Sequence, residues 1–234
     1  MKRHIPNFIT CLNLVCGCFA VFFSFKAIIT GDFHLPLYFI LAAAVLDFLD
    51  GLAARLLKAY SEMGKQLDSL ADMISFGLAP GAVVVAIIGR TVIDVPDWLP
   101  FAGFVIPVFS ALRLAKFNID KRQTSSFLGL AVPANALFFG GLAYSYSDFF
   151  SKQPYLLIAI TVIFSVLLIS EIPMFSLKFK NLKWKDNSAQ FIFLGGCVLL
   201  IIFLKFNAFA PIIVWYIVLA IIFRTKSKYC LKKW

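Results

Sequence analysis

Apolar residues in this chain come in runs about as long as a bilayer is thick. A helix rises 1.5 Å per residue, so about 20 apolar residues cross a hydrocarbon core of about 30 Å. Such runs occupy 8–29, 35–54, 69–89, 98–118, 128–147, 154–172, 190–206 and 208–223, leaving little chain between them. With 61% of 234 residues hydrophobic and only 15% charged, a soluble globule, a disordered chain and a disulfide-rich secreted fold are all excluded. The expectation is an all-α integral membrane protein of about eight transmembrane helices. No internal repeat or linker divides it, so 1–234 reads as a single membrane domain, and any chemistry must sit on the helices or their short loops.

The formal charge of +10 would suggest nucleic acid in a soluble protein, but here position decides. With a cytoplasmic N-terminus and eight crossings, Lys2 and Arg3, the 55–65, 113–122 and 178–185 loops and the C-terminal tail share one side. They hold 18 of the 22 Lys and Arg residues. That is the positive-inside distribution, with both termini cytoplasmic, and it argues against nucleic acid as a partner. The opening MKRHIPNFITCLNLVCGCFAVFF imitates a signal peptide, yet no small-residue cleavage site follows, so it is kept as the first crossing. Cys11, Cys16, Cys18, Cys197 and Cys230 form no CxxC pair and read as small buried hydrophobes.

Charge within a spanning helix is costly and asks for a reason. The second run reads FILAAAVLDFLDGLAARLLKAY and the third opens MGKQLDSLADMISFGLAPG, placing Asp47, Asp50, Arg55, Asp68 and Asp72 near one end. At about 100° per residue, Asp47 and Asp50 lie about 60° apart around their helix, and Asp68 and Asp72 about 40° apart. A connection of about ten residues, with Ser61 as N-cap, lets the two acidic faces oppose each other. Four carboxylates sharing one small volume repel unless a cation compensates them. All-oxygen ligation selects hard ions such as Mg²⁺ or Mn²⁺, and His4 and His34 are not placed to make a zinc site. Gly51 leaves a gap in the side-chain layer beside Asp50. Gly64 continues the face of Asp68 and Asp72, although both glycines also suit close helix packing. Arg55 suits a phosphate oxygen or a topology anchor. The third run begins polar, so its first turns should face protein or water while its second half, APGAVVVAIIG, meets lipid.

These residues spell Asp47-x2-Asp50-Gly51-x2-Ala54-Arg55-x8-Gly64-x3-Asp68-x3-Asp72, which resembles the signature of the CDP-alcohol phosphotransferase family of membrane phospholipid-synthesis enzymes. The continuation DSLADMISFGLAP at 68–80 is similar to that of the phosphatidylserine synthase branch, as are IPNFITCLNLVCG at 5–17, ALRLAKFN at 111–118 and EIPMFSLKFK at 171–180. The branch more often has Arg where Lys116 stands.

The resemblance implies transfer of a phosphatidyl group from CDP-diacylglycerol to L-serine, releasing CMP at the cytoplasmic face of the inner membrane. It implies Asp47, Asp50, Asp68 and Asp72 as ligands of Mg²⁺ or Mn²⁺, in a pair of ions, with Asp72 also the general base. Gly51, Arg55 and Ser61 would line the donor's phosphates and ribose, joined by Thr10 and Asn13 from the first crossing. Arg113, Lys116, Asn118 and Lys178 are candidates for holding serine, or else topology anchors. The family commonly forms homodimers, and the last two crossings, 190–223, are expected to be structural. Two alternatives remain: the same chemistry on glycerol 3-phosphate or inositol phosphate, and, more distantly, a cation-coupled transporter. A transporter should carry polar features from both sides to the midplane, whereas these carboxylates crowd one end.

Overall fold

The computed structural model describes residues 4–119, 127–175 and 187–223, and among these the chain forms eight helical rods. They are α1 (His4–Thr30), α2 (His34–Leu56), α3 (Glu62–Gly89), α4 (Leu99–Ile119), α5 (Val132–Ser151), α6 (Pro154–Ile169), α7 (Ser188–Leu204) and α8 (Phe209–Phe223). The first four, and the joined run Ser188–Phe223, are long and apolar enough to cross a bilayer. The outer surface is apolar, with Phe8, Val15, Phe22, Phe48, Val108 and Ile202 all exposed, as expected for helices solvated by lipid. The protein is therefore an all-α integral membrane protein. One departure is a two-residue antiparallel pairing of Phe127–Leu128 with Pro173–Met174.

Helix α1 buries Pro6, Thr10, Asn13, Gly17, Ala20, Ser24 and Ala27, one small or polar residue every three or four positions. That stripe lets α2 and α3 approach closely. At Gly17 the approach is extreme, for a Cβ there would lie 2.4 Å from Ser75 Oγ and 2.7 Å from Ser75 Cα. The turn into α2 uses Gly31 at φ 74° and the Asp32 carboxylate, which accepts the His34 backbone N–H at 2.8 Å. That bond and the His34 ring hold the Asp32 carboxyl below the usual carboxylate range. Helix α2 stops where Lys58 takes φ 50°, with Ala59 N–H donating to Ala54 O at 2.9 Å and Lys58 N–H to Arg55 O at 3.3 Å. This is the Schellman pattern with lysine in the position glycine usually fills.

Helix α3 starts earlier than the hydrophobic run, at Glu62, because Ser61 caps it by accepting the Gly64 N–H at 3.0 Å. Between Met73 and Leu78 it widens to a π turn, with Ala79 N–H reaching back to Ile74 O. Pro80 follows directly and lacks an N–H, so the widened turn accommodates a ring that a regular α-helix would clash with. The expectation that APGAVVVAIIG meets lipid is overturned: Ala79 through Ile88 are buried, making α3 the central rod. Hydropathy cannot separate lipid from an apolar protein interior. The small residues decide instead, since a Cβ on Gly103 would lie 2.7 Å from Gly81 O.

The run at 128–147 begins its helix four residues later, at Val132, because Leu128 is paired in the short ladder and Gly129 turns at φ 75°. The run beginning at 190 and that beginning at 208 form one apolar stretch, broken at Lys205 (φ 51°, ψ −125°) by a 3₁₀ turn over Lys205–Ala208. Cys11 and Cys18 face outward instead of inward, and Cys230 lies outside the described residues. At the end of the bundle away from the acidic residues, Arg90 pairs with Asp148 at 3.3 Å and Thr91 Oγ1 donates to Ser151 O at 2.7 Å.

Candidate active site

The last turns of α2 and the first turns of α3, joined by 57–61, both pack on α1, and their carboxylates meet as the helical spacing requires. Asp47, Asp50 and Asp68 each present an oxygen, all within 4.8 Å of one another. Asp72, one turn deeper on α3, stands outside that trio but beside Asp47 and the Asn13 amide. Its Oδ1 is buried without a hydrogen-bond partner, and so are both polar atoms of the fully buried Asn13. Thr10 Oγ1 donates to Asp50 Oδ2 at 2.6 Å, tying α1 to the cluster.

Carboxylates this close, Asp50 buried and Asp47, Asp68 and Asp72 partly buried, are an unstable arrangement on their own. They are an apt all-oxygen donor set for a hard divalent ion, and the orphaned Asp72 oxygen adds a further acceptor. Neither His4 nor His34 is among these residues, and His34 instead pairs with Asp32 at the opposite end.

Beside the trio opens a cavity of about 590 Å³, lined by Asn7, Thr10, Asp50, Gly51, Ser61, Gly64, Lys65 and Asp68 among others. The two glycines differ here. A Cβ on Gly51 would meet nothing within 4 Å, so Gly51 keeps space open and does not pack a helix. A Cβ on Gly64 would come within 3.0 Å of Asn7 Oδ1 and Ser61 Oγ, so Gly64 serves close approach. Arg55 is exposed, its Nε donating to Gly51 O at 3.0 Å, and it is not part of the cavity wall.

The candidate acceptor residues divide. Arg113 is buried at 9% exposure, within electrostatic reach of Asp72, with its Nε unpaired. Lys116 Nζ lies 3.6 Å from Glu171 Oε1, and Asn118 Nδ2 donates to Ser69 Oγ at 2.9 Å, beside Asp68. Lys178 lies outside the described residues. Sequence reading missed Asn7 and Lys65 in the cavity wall. Asn7 stands one helical turn before Thr10, and Lys65 one turn before Asp68, so helical spacing from residues already singled out would have found both.

This constellation, carboxylates from two helices beside a cavity in an apolar bundle, marks an integral membrane protein with an acidic cluster able to hold a divalent ion. The CDP-alcohol phosphatidyltransferase family model matches residues 3–178, and the chain belongs to that family. Among curated relatives, the CDP-diacylglycerol–serine O-phosphatidyltransferase of Bacillus subtilis is 34% identical over 174 residues, covering 73% of this chain and 89% of that protein. The enzyme of the same name from Saccharomyces cerevisiae is 36% identical over 153 residues (60% of this chain, 54% of that protein). That from Mycobacterium leprae is 36% identical over 184 residues (73% and 57%). The chain thus spans most of the first relative and little more than half of the other two.

Proposed function

We propose that this protein transfers the phosphatidyl group of CDP-diacylglycerol to the hydroxyl of L-serine, forming phosphatidylserine and CMP. The observation that carries the reading is the trio Asp47, Asp50 and Asp68, two of which, Asp50 and Asp68, line a cavity that Gly51 keeps clear. A donor pyrophosphate fits there, among Asn7, Thr10, Ser61, Gly64 and Lys65 of the lining. Lys65 supplies a positive charge for its oxygens.

Asp47, Asp50, Asp68 and Asp72 would hold Mg²⁺ or Mn²⁺, as a pair of ions, which would neutralise the charge on the pyrophosphate. The chain's own residues do the rest. Arg113 attracts the serine carboxylate toward Asp72, and Asp72 accepts the hydroxyl proton as the serine oxygen bonds to the lipid-bearing phosphorus. The bond from that phosphorus to the CMP oxygen breaks, and CMP leaves with the electron pair. Thr10 holds Asp50 in place throughout.

The whole chain acts as one membrane domain of eight crossings with both termini cytoplasmic, placing the acidic end of α2 and α3 at the cytoplasmic face of the inner membrane. The donor's acyl chains remain in the bilayer while its head group enters the cavity. The working unit is a homodimer. The decisive experiment supplies CDP-diacylglycerol with serine, glycerol 3-phosphate or inositol phosphate and measures CMP release. Serine-dependent release that requires Mg²⁺ or Mn²⁺ supports the reading, and release with another alcohol only overturns it.

A further inference from the structure

Residues 171–175 follow α6 and are weakly held by their own backbone. Their ladder with Phe127–Leu128 is two residues long, and Pro173, at one of its two positions, has no N–H to donate. Gly129 N–H adds one bond, to Ile172 O at 2.9 Å. Yet this segment carries Glu171, the partner of Lys116 on α4, one turn beyond Arg113.

Met174 is buried in the core, and a further anchor comes from α8. Tyr216 donates its hydroxyl to Phe175 O at 3.0 Å, and its ring packs on Phe175 and Phe193 with centroids 4.9 Å and 5.6 Å away. Arg113 lies within electrostatic reach of both Tyr216 and Asp72. Helix α8 thus contacts the segment that carries Glu171, although the family match ends at residue 178.

We propose that Tyr216 is a positioning residue for the acceptor alcohol: by holding the Phe175 carbonyl it fixes 171–175, so that Glu171 restrains Lys116 and Arg113 stays beside Asp72. The inference rests on the phosphatidyl-transfer reading above and gives the last helix a part in it. Phenylalanine at this position keeps the ring stack and loses only the hydroxyl. Packing and positioning are therefore separable.

The test compares wild type, Tyr216→Phe and Phe193→Leu in lipid nanodiscs, titrating serine at saturating CDP-diacylglycerol and then the reverse. Tyr216→Phe is expected to raise KM for serine about fivefold, the worth of one hydrogen bond, with KM for CDP-diacylglycerol within about twofold of wild type. Phe193→Leu should lower Tm and leave both KM values unchanged. The proposal is overturned if Tyr216→Phe leaves the serine KM within about twofold, raises both KM values together, or fails to accumulate in membranes. Should wild type release no CMP with serine, the functional reading itself fails. The same KM comparison, run with whichever alcohol is accepted, then decides the role of Tyr216.

Discussion

Thr10 and Asp50, 40 residues apart in sequence, are joined by a buried 2.6 Å hydrogen bond that makes the first helix part of the acidic cluster. The bond leaves Asp50 one oriented oxygen for a cation. Groups that orient ligands in this way typically matter 10- to 100-fold to metal affinity. Thr10→Val, which keeps the shape and removes the hydroxyl, should therefore shift the Mg²⁺ dependence of CMP release to about tenfold higher concentration. Saturating Mg²⁺ should restore most of the rate. An unchanged Mg²⁺ titration would show that Thr10 serves packing alone.

Gly51 separates stability from activity. Nothing lies within 4 Å of where a Cβ would stand, and alanine favours a helix by about 0.5–1 kcal/mol over glycine, so Gly51→Ala should raise Tm slightly. The same methyl projects toward the space assigned to the donor. CMP release should fall at least about tenfold, with the loss in KM for CDP-diacylglycerol. A stabilised and fully active variant would remove the donor from this cavity.

Asp72→Asn retains size and removes both the acceptor of the proton and a ligand charge. Loss of a positioned base costs about 10² to 10⁴ in rate, so turnover should be all but abolished while the protein inserts and purifies normally. Wild-type turnover in this variant would move the base to another residue.

Chelation offers a test that needs no substitution. Stripping divalent ions with EDTA should abolish CMP release and lower Tm, since carboxylates converging within 4.8 Å then repel without compensation. Mg²⁺ or Mn²⁺ should restore both properties. A chelated protein with unchanged melting and activity would refute a metal at the trio.

Ser61 is occupied as a helix cap. Its oxygen accepts the Gly64 N–H at 3.0 Å, so Ser61→Ala should destabilise the start of α3 by about 1 kcal/mol, readable as a lower Tm. If the hydroxyl served the donor alone, Tm would not move.

The carboxylate pairs were legible because helical periodicity is rigid arithmetic: residues three or four apart share a face, and a short connection opposes the two faces. The Ser61 cap was legible for the same local reason. The surroundings of α3 were not, because valine and alanine in lipid and in a protein interior are chemically indistinguishable, and only packing against Gly103 and its neighbours decides. Nor could local sequence show that Arg113 would lie within electrostatic range of Asp72, that Lys116 would be claimed by Glu171, or that Tyr216 would reach Phe175 across 41 residues. Those are facts of tertiary arrangement, invisible to spacing along one helix.

The widened turn at Met73–Leu78 has a consequence for how α3 serves two environments. An inserted residue in a helix rotates everything beyond it by about 100° relative to a regular continuation. The rod therefore has two independently aimed halves, one showing Asp68 to the cavity and the other fitting the crowded centre of the bundle. Deleting a single residue such as Ile74 would straighten the winding and force a choice between them, so the enzyme's chemistry and its architecture are kept compatible by one surplus peptide unit.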